Sequence, residues 1–358
     1  MRILVYIGHP GHVHLFRPFA MEMKGKGHQI LFTWREKEFE VELLREGGLE
    51  YVSFGKKYKS TLGKVFGLLK FDILEFLTAR KFKPHLFLSH GSPYAAHVAW
   101  LLRRPHISFE DTFNFEQIRL YKSFSDVILT STYKHPDLGK NNLHYDGYHE
   151  LAYLHPNRFK PDENVLGELG LKPGEKYVIM RFVSWNATHD IGHKGMSSKN
   201  KILAAGKISK YAKVFISSEN VLPPELEKYR FPLGPQRMHH AIAFASLVYG
   251  ESATMATEGA VLGVPGIYLD NTSRLYTKDI ESNFGLIFNY SESEADQQAS
   301  VQKAIEVIQK PGEEWIEKRK KLLEKKIDVT KFLVWFIENY PESKSVAEKN
   351  SFKQLSFK

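Results

Sequence analysis

The segment from Val248 to Asp270 constrains the fold more than any other part of the chain. An apolar run ends at Gly250, a helical run of small residues follows, and Gly263-Val-Pro265 separates it from a second apolar run. This order predicts two parallel strands joined by one crossover helix, because both apolar runs are continuous rather than alternating. A parallel sheet of this kind needs helices on both of its faces.

The start of that helix also indicates a binding site. The first turn of a helix has backbone N–H groups without intrahelical partners and the positive end of the helix dipole, and both attract phosphate. Nearly two turns further on, a glutamate could accept hydrogen bonds from sugar or ribose hydroxyls. An ordinary turn with a surface glutamate is the alternative. The predicted nucleotide-sugar donor site comprises Ser252, Ala253, Thr254 and Glu258.

Strand and helix patterns alternate in two series, which predict domains at 1–155 and 156–328. The region 133–162 is rich in Pro, His, Asn and Tyr, and we predict a linker there. A last helix near 330–340 is too apolar to stay exposed, so the segment 329–358 is predicted to pack back across both domains and to end in a polar tail. The predicted fold class is α/β and GT-B-like, with two Rossmann-like, doubly wound parallel-sheet domains that face each other across a cleft.

Composition narrows the class of protein. The 358 residues contain no cysteine, which excludes disulfides, thiolate zinc sites and cysteine nucleophiles and agrees with a cytoplasmic protein. No apolar run is long enough to span a bilayer, and the first residues enter a strand directly, without the pattern of a signal peptide. The balance of 50 Lys+Arg against 41 Asp+Glu gives a net charge of +9 and favours an anionic partner.

The loop after the first strand, Gly8 to His14, would lie at the edge of the sheet where ligands bind. It is not a dinucleotide-binding or Walker motif. We predict that His12 is a general base that deprotonates an acceptor hydroxyl, with His14 as the next candidate. Hydrogen-bonded structural histidines are one alternative and a metal site is another. Because no acidic ligand is adjacent, we predict no metal here.

The corresponding loop of the second half, 180–194, also places polar groups directly after an apolar strand. Ser184 and Asn186 could donate to a diphosphate, and Arg181 could balance its charge. A further strand ends at Phe109 and is followed by Glu110 and Asp111. Either carboxylate could bind acceptor hydroxyls or act as a base, and we include Asp111 among the predicted catalytic residues.

These motifs, with the run from Tyr145 to His155, resemble domain-of-unknown-function family 354 over about the first 340 residues. The resemblance implies a GT-B-like fold related to the transferase that adds N-acetylglucosamine to lipid I and to the non-hydrolysing UDP-N-acetylglucosamine 2-epimerases. By similarity to the lipid I enzyme, His12 would lie near the acceptor and Glu258 would hold the donor ribose. The backbone at 252–254 would meet the donor diphosphate.

The segment 56–83 combines many lysines and arginines with many large apolar residues. Such a basic amphipathic segment can lie on an anionic membrane, as a lipid-linked acceptor would require, or it can be a core helix with a solvated face. Nucleic acid is not a predicted partner, because the basic residues are dispersed and no binding motif is present.

The sequence therefore predicts a cytoplasmic glycosyltransferase without a cofactor, which lies peripheral to the membrane if 56–83 contacts it. It would transfer a sugar from a nucleotide donor, UDP-linked, to a cell-envelope or polysaccharide acceptor. Two alternatives stay open. One is a UDP-sugar 2-epimerase, with Glu110, Asp111, His189 and Asp190 as candidate acid and base groups. The other is a non-catalytic nucleotide-sugar-binding protein.

Overall fold

The structure is a computed structural model that describes residues 1–36, 43–45, 47–56, 58, 61–183, 195–272, 274–349 and 354–358. The chain divides into two compact units. Unit 1 comprises Met1–Arg158 and Lys326–Lys358, and unit 2 comprises Phe159–Lys325. The final segment of the chain is therefore grouped with the first sheet.

Unit 1 is built around one parallel sheet. Its strands are β1 (Arg2–Ile7), β2 (Gln29–Glu36), β3 (Tyr51–Lys56), β4 (Leu86–His90), β5 (His106–Phe109), β6 (Val127–Ser131) and β7 (Asn142–Tyr145). Its helices are α1 (Pro10–Gly25), α2 (Thr61–Phe82), α3 (Pro93–Leu101), α4 (Phe115–Tyr121) and α5 (Leu151–Leu154), together with 3-10 turns at Lys122–Phe124 and Gln354–Phe357. The strand order is β3-β2-β1-β4-β5-β6-β7, and each described pairing is parallel.

Unit 2 repeats the same architecture in a smaller form. Its strands are β8 (Tyr177–Phe182), β9 (Lys213–Ser218), β10 (Leu247–Gly250), β11 (Gly266–Leu269) and β12 (Ile287–Tyr290), in the order β12-β11-β10-β8-β9. Its helices are α6 (Asn164–Glu168), α7 (Ser198–Ile208), α8 (Pro224–Glu227), α9 (Met238–Ala243), α10 (Ala253–Leu262), α11 (Leu275–Phe284), α12 (Glu294–Gln309) and α13 (Gly312–Lys325), with a 3-10 turn at Pro235–Arg237. These pairings are also parallel, so the predicted α/β class with two parallel sheets is confirmed.

The linker predicted at 133–162 is wrong in part, because β7 and α5 lie inside it. β7 is only four residues long and pairs with β6 at the edge of the sheet. Leu143 and Tyr145 are buried whereas His144 is exposed, so this strand alternates instead of presenting a continuous apolar run. A four-residue alternation between polar loops is too short to stand out in a sequence.

The C-terminal helices α14 (Val329–Glu338) and α15 (Glu342–Ala347) follow Lys326 and belong to unit 1. The first of them is held by its N-cap residue, Asp328, whose carboxylate accepts a hydrogen bond from the backbone N–H of Lys331 at 3.0 Å and pairs with Arg158 Nε at 2.7 Å. Gly147 allows close approach here, since a Cβ at this position would overlap the side chain of Val329. The apolar face of α14 is thus fixed against the end of β7.

None of the described helices combines the length and the apolar character that crossing a bilayer requires.

Gly250 ends β10 with a backbone φ of +138°, a conformation that residues with a side chain rarely adopt. A Cβ at this position would overlap the carbonyl oxygen of Arg181 on the neighbouring strand. We therefore expect Gly250→Ala to lower the free energy of unfolding by about 3 kcal/mol, measured by urea denaturation.

Gly206→Ala is the matched control. Gly206 lies inside α7, and a Cβ there would meet nothing within 4 Å. This substitution should stabilise the protein by roughly 0.5–1 kcal/mol, because alanine favours the helix. Equal effects of the two substitutions would contradict the assignment of a steric role to Gly250.

Candidate functional site

The carboxyl ends of three strands in unit 1 bring together His90, Asp111 and His149. His90 is the last residue of β4, Asp111 follows β5 by two residues, and His149 follows β7 by four. Strands of a parallel sheet all end at the same edge, and ligands bind at that edge in doubly wound folds. These three side chains therefore form a candidate site, which we call the Asp111 cluster.

Asp111 lies between the two histidines. Its Oδ1 is 3.0 Å from His90 Nε2 and its Oδ2 is 2.9 Å from His149 Nδ1. Burial by itself raises the pKa of Asp111, but His149 and His90 outweigh it and hold that pKa well below its usual value. Burial lowers the pKa of His90, whereas the charge and hydrogen bond of Asp111 raise it, and the net pKa lies above the usual value. The Asp111 side chain remains 18% exposed, so a ligand can reach it.

The ring of His12 stacks on that of His90, with 4.4 Å between the ring centroids. Its Nδ1 accepts a hydrogen bond from the backbone N–H of Gly8 at 3.2 Å. Burial, together with the neighbouring His90 and His9, lowers the pKa of His12 well below its usual value, so the ring is neutral at neutral pH. A neutral imidazole whose Nδ1 accepts a hydrogen bond carries its proton on Nε2. His12 therefore offers an N–H group, whereas the predicted base role requires a lone pair there.

The other histidines of the loop have different surroundings. His9 caps α1, with its Nδ1 accepting the backbone N–H of Gly11 at 3.1 Å. The ring of His14 lies 5.3 Å from that of Tyr153, between centroids. Of the predicted catalytic residues, the structure thus brings His12 and Asp111 to the same cluster through His90, and it places His14 against α5.

Glu110 is buried and has a structural role. Its Oε1 accepts the backbone N–H groups of Thr112 and Phe113, both at 2.8 Å, and its Oε2 accepts the hydroxyl of Tyr121 at 2.5 Å. These bonds close the turn after β5 and hold Asp111 at its end. Of the two adjacent carboxylates, only Asp111 contacts the histidine cluster.

The Asp111 cluster also has a composition suited to a metal ion. Among the described residues, His90, Asp111 and His149 are the group whose ligand atoms all lie within 4.8 Å of one another. Two imidazoles and a carboxylate suit zinc or another transition metal. The sequence-based expectation of no metal stays a prediction.

Sequence reasoning missed His90 and His149 as site residues. Each lies in a short motif directly after a strand, Ser89-His-Gly-Ser92 and Tyr145-Asp-Gly-Tyr-His149. The signal that could have identified both histidines is their position after the end of a strand. For His149 this signal was lost, because the sequence pattern does not reveal β7.

In unit 2, α10 begins after the sharp turn at Gly250. The hydroxyl of Ser252 caps the helix by accepting the backbone N–H of Met255 at 3.2 Å. Within the described part of the chain, no hydrogen bond engages the backbone N–H groups of Ala253 and Thr254. The helix start therefore has the donors that the sequence predicted for a phosphate.

Glu251 precedes this turn, but its charge is satisfied within the protein. Its Oε1 accepts the backbone N–H of Met196 at 2.6 Å, and its Oε2 accepts that of Val183 at 3.0 Å and pairs with Lys201 at 3.2 Å. The carboxylate thus links Val183, directly after β8, to Met196.

Of the other residues predicted to bind the donor, Arg181 and Glu258 are paired with other side chains of the protein. The guanidinium group of Arg181 donates to Ser217 and pairs with Glu219, both at 2.7 Å, so its charge is used on the β9 side of β8. Glu258 is buried, and its Oε1 lies 2.8 Å from His239 Nε2. Ser184 and Asn186, with His189 and Asp190, lie outside the described residues.

No protein-family model matches the sequence, and no curated protein does. Solved structures do match. A UDP-GlcNAc 2-epimerase from Neisseria meningitidis, bound to UDP-GlcNAc, is similar with a TM-score of 0.66 and 13% identity, over 94% of this chain and 100% of that one. The UDP-GlcNAc 2-epimerase from Methanocaldococcus jannaschii is similar with a TM-score of 0.60 and 14% identity, over 87% of this chain and 93% of that one. A spinosyn rhamnosyltransferase complexed with spinosyn aglycone is similar with a TM-score of 0.58 and 12% identity, over 95% of this chain and 100% of that one.

The fold is GT-B-like. At these identities the likeness is one of fold, and it confirms the predicted class of two α/β domains with parallel sheets. The resemblance to domain-of-unknown-function family 354 stays a prediction.

The Asp111 cluster predicts a specific change in histidine titration. In Asp111→Asn, the pKa of His90 should fall, because the neutral amide no longer favours the protonated ring. The measurement is an NMR titration of the His90 ring protons.

Asp72→Asn is the control, since Asp72 Oδ2 lies 3.1 Å from His97 Nδ1 and its hydrogen bond raises the pKa of His97. This variant should lower the pKa of His97 and leave that of His90 unchanged. An unaltered His90 titration in Asp111→Asn would show that the pair is not electrostatically coupled.

Proposed function

We propose that this protein is a glycosyltransferase that uses a nucleotide sugar, UDP-linked, as its donor. The observation that carries the proposal is the start of α10, where backbone N–H groups follow the Gly250 turn at the carboxyl end of a parallel strand. Such a helix start binds phosphate through its donors and its dipole. The proposal is supported by the similarity in fold to a protein bound to UDP-GlcNAc.

Unit 2 would bind the donor. The diphosphate would accept hydrogen bonds from the backbone N–H groups of Ala253 and Thr254, and the ribose hydroxyls would donate to Glu258. Glu251 does not oppose this anion, because Lys201 and two backbone N–H groups neutralise its charge. Arg181 acts at most indirectly, since its guanidinium group is already paired with Glu219.

Unit 1 would supply the base. We assign that role to Asp111 in place of His12, because Asp111 is a partly exposed carboxylate and His12 offers an N–H group. Asp111 would accept the proton of the acceptor hydroxyl, while His90 and His149 position its two oxygens. His12 Nε2–H would donate a hydrogen bond to the acceptor.

The acceptor would be a cell-envelope or polysaccharide hydroxyl compound, which can be lipid-linked. As the sequence predicts, we place the enzyme in the cytoplasm, with no cofactor requirement and no nucleic acid partner.

Removing one donor from the helix start tests the donor site. Proline at the first helical position lacks an N–H group but fits a helix there, and Ser252 has the extended backbone that precedes proline. We expect Ala253→Pro to weaken UDP binding by roughly tenfold or more, because a charge-assisted hydrogen bond is lost. Isothermal titration calorimetry measures this affinity.

Ser198→Pro is the matched control, since Ser198 holds the same position in α7 behind an extended Ser197. It should leave UDP binding unchanged. If wild-type protein binds neither UDP nor any nucleotide sugar at millimolar concentration, the donor-site assignment is wrong.

Three variants of unit 1 separate the roles of Asp111 and His12. Asp111→Asn should lower kcat by about a hundredfold or more while UDP affinity is kept, because a general base acts in the transition state. His12→Gln should retain more activity than His12→Ala, because the glutamine amide can replace an N–H donor but not a base. Equal and severe losses in both His12 variants would return the base role to His12.

The alternative is a UDP-sugar 2-epimerase. The observation that favours an epimerase is that the Asp111 cluster places several side chains capable of proton transfer at one edge of the sheet. Inversion at C2 breaks a C–H bond, so an epimerase incorporates solvent deuterium into UDP-GlcNAc in D₂O without any acceptor. A transferase does not. Nucleotide binding without turnover under either condition would favour a non-catalytic binding protein.

A further inference from the structure

Helix α2 is apolar on two faces, and unit 1 covers only one of them. On the inner face, Phe71 and Ala79 are buried, and Leu68 and Phe76 pack against the same core. On the outer face the exposed fractions lie between 57% and 62% for Phe66, Leu69, Ile73 and Leu77. When a helix has apolar residues on opposite faces, both faces are normally buried against other parts of a protein or in a membrane.

The neighbouring helix extends this exposed face. At the end of α3, Trp100 is 63% exposed and Leu101 is 60% exposed. Between the two helices lies a groove of about 450 Å³, with an apolar lining of Ile73, Phe76, Val98, Trp100, Leu101 and Phe124. The paired side chains of Asp72 and His97 complete the lining. The outer face of α2, the end of α3 and this groove form one surface, which we call the α2–α3 surface. Exposed apolar patches of this size mark interaction sites.

The exposed charges at the ends of these two helices have one sign. Exposed basic residues lie in the last turn of α2 or directly after α2 and α3, and they are Arg80, Lys81, Lys83, Arg103 and Arg104. The acidic residues within 61–82 and 93–104 are Asp72 and Glu75. Asp72 pairs with His97, and Glu75 is fully buried. The α2–α3 surface therefore presents apolar side chains bordered by cations.

We propose that the α2–α3 surface binds an anionic phospholipid bilayer. Exposed aliphatic side chains can enter the boundary between headgroups and acyl chains, tryptophan is favoured at that depth, and the basic residues meet anionic headgroups. A second copy of the chain fits less well, because a two-fold contact would bring the cationic borders together. This proposal does not depend on the proposed sugar transfer.

Vesicle flotation of the full chain tests it. The protein should float with phosphatidylglycerol-containing vesicles but not with pure phosphatidylcholine vesicles, and about 0.5 M salt should weaken the binding. The double variant Leu69→Gln/Ile73→Gln should bind at least roughly tenfold more weakly, since it removes two inserted side chains. The matched control is Val221→Gln/Ile316→Gln, two exposed aliphatic residues of unit 2, which should bind as the wild type does.

A second pair of variants isolates the charges. Arg80→Glu/Lys81→Glu should lose binding to anionic vesicles, whereas Lys320→Glu/Lys321→Glu, two exposed neighbours on α13, should retain it. Brominated lipids should quench tryptophan fluorescence in the wild type but not in Trp100→Phe.

Three outcomes would overturn the proposal. They are no flotation with anionic vesicles, equal flotation with neutral vesicles, and sedimentation of the wild type as a dimer that Leu69→Gln/Ile73→Gln converts to monomer. The last would assign the surface to a second copy.

Discussion

The structure depends on parallel strands that are buried on both faces. Parallel pairing requires a crossover between successive strands, and each crossover helix covers a face that would otherwise expose apolar side chains. All strands of a sheet then end at one edge, where polar loops can lie beside each other without interrupting the core. The Asp111 cluster and the start of α10 both occupy such edges, each in its own unit. The architecture thus provides the positions, and the loop residues provide the chemistry.

Two carboxylates, the buried Glu251 and the partly exposed Asp111, show how differently this fold satisfies a charge. Glu251 is held by Lys201 and two backbone N–H groups. Asp111 is held by two imidazoles, those of His90 and His149. Both arrangements avoid an unpaired charge in a site of low polarity. The second arrangement combines side-chain types that serve as acids and bases, which is why we assign acid–base chemistry to unit 1 and anion binding to unit 2.

The donor half of the proposed function rests on backbone geometry, and the acceptor half rests on side-chain contacts. At Gly250, φ +138° and the close carbonyl of Arg181 require glycine, and this turn leads into the helix start. At Asp111, residues from three strand ends must meet within about 3 Å, and the buried Glu110 fixes the turn that holds one of them. Substitutions in the first site act through the chain's conformation, whereas those in the second act through charge and protonation.

The sequence alone determined the alternation of strands and helices, the two parallel sheets, the Gly250 turn and the helix start at Ser252, because these depend on neighbouring residues and on periodicity. It could not predict β7, whose four residues gain their conformation from pairing with β6. It predicted His12 and Asp111 as catalytic residues, but their partners were decided only when β4, β5 and β7 brought His90 and His149 to Asp111. The proton position on His12 likewise depends on a backbone N–H group that the fold of its loop directs at Nδ1. The two faces of α2 have the same apolar character in the sequence, and only packing in the tertiary structure decided which one stays exposed.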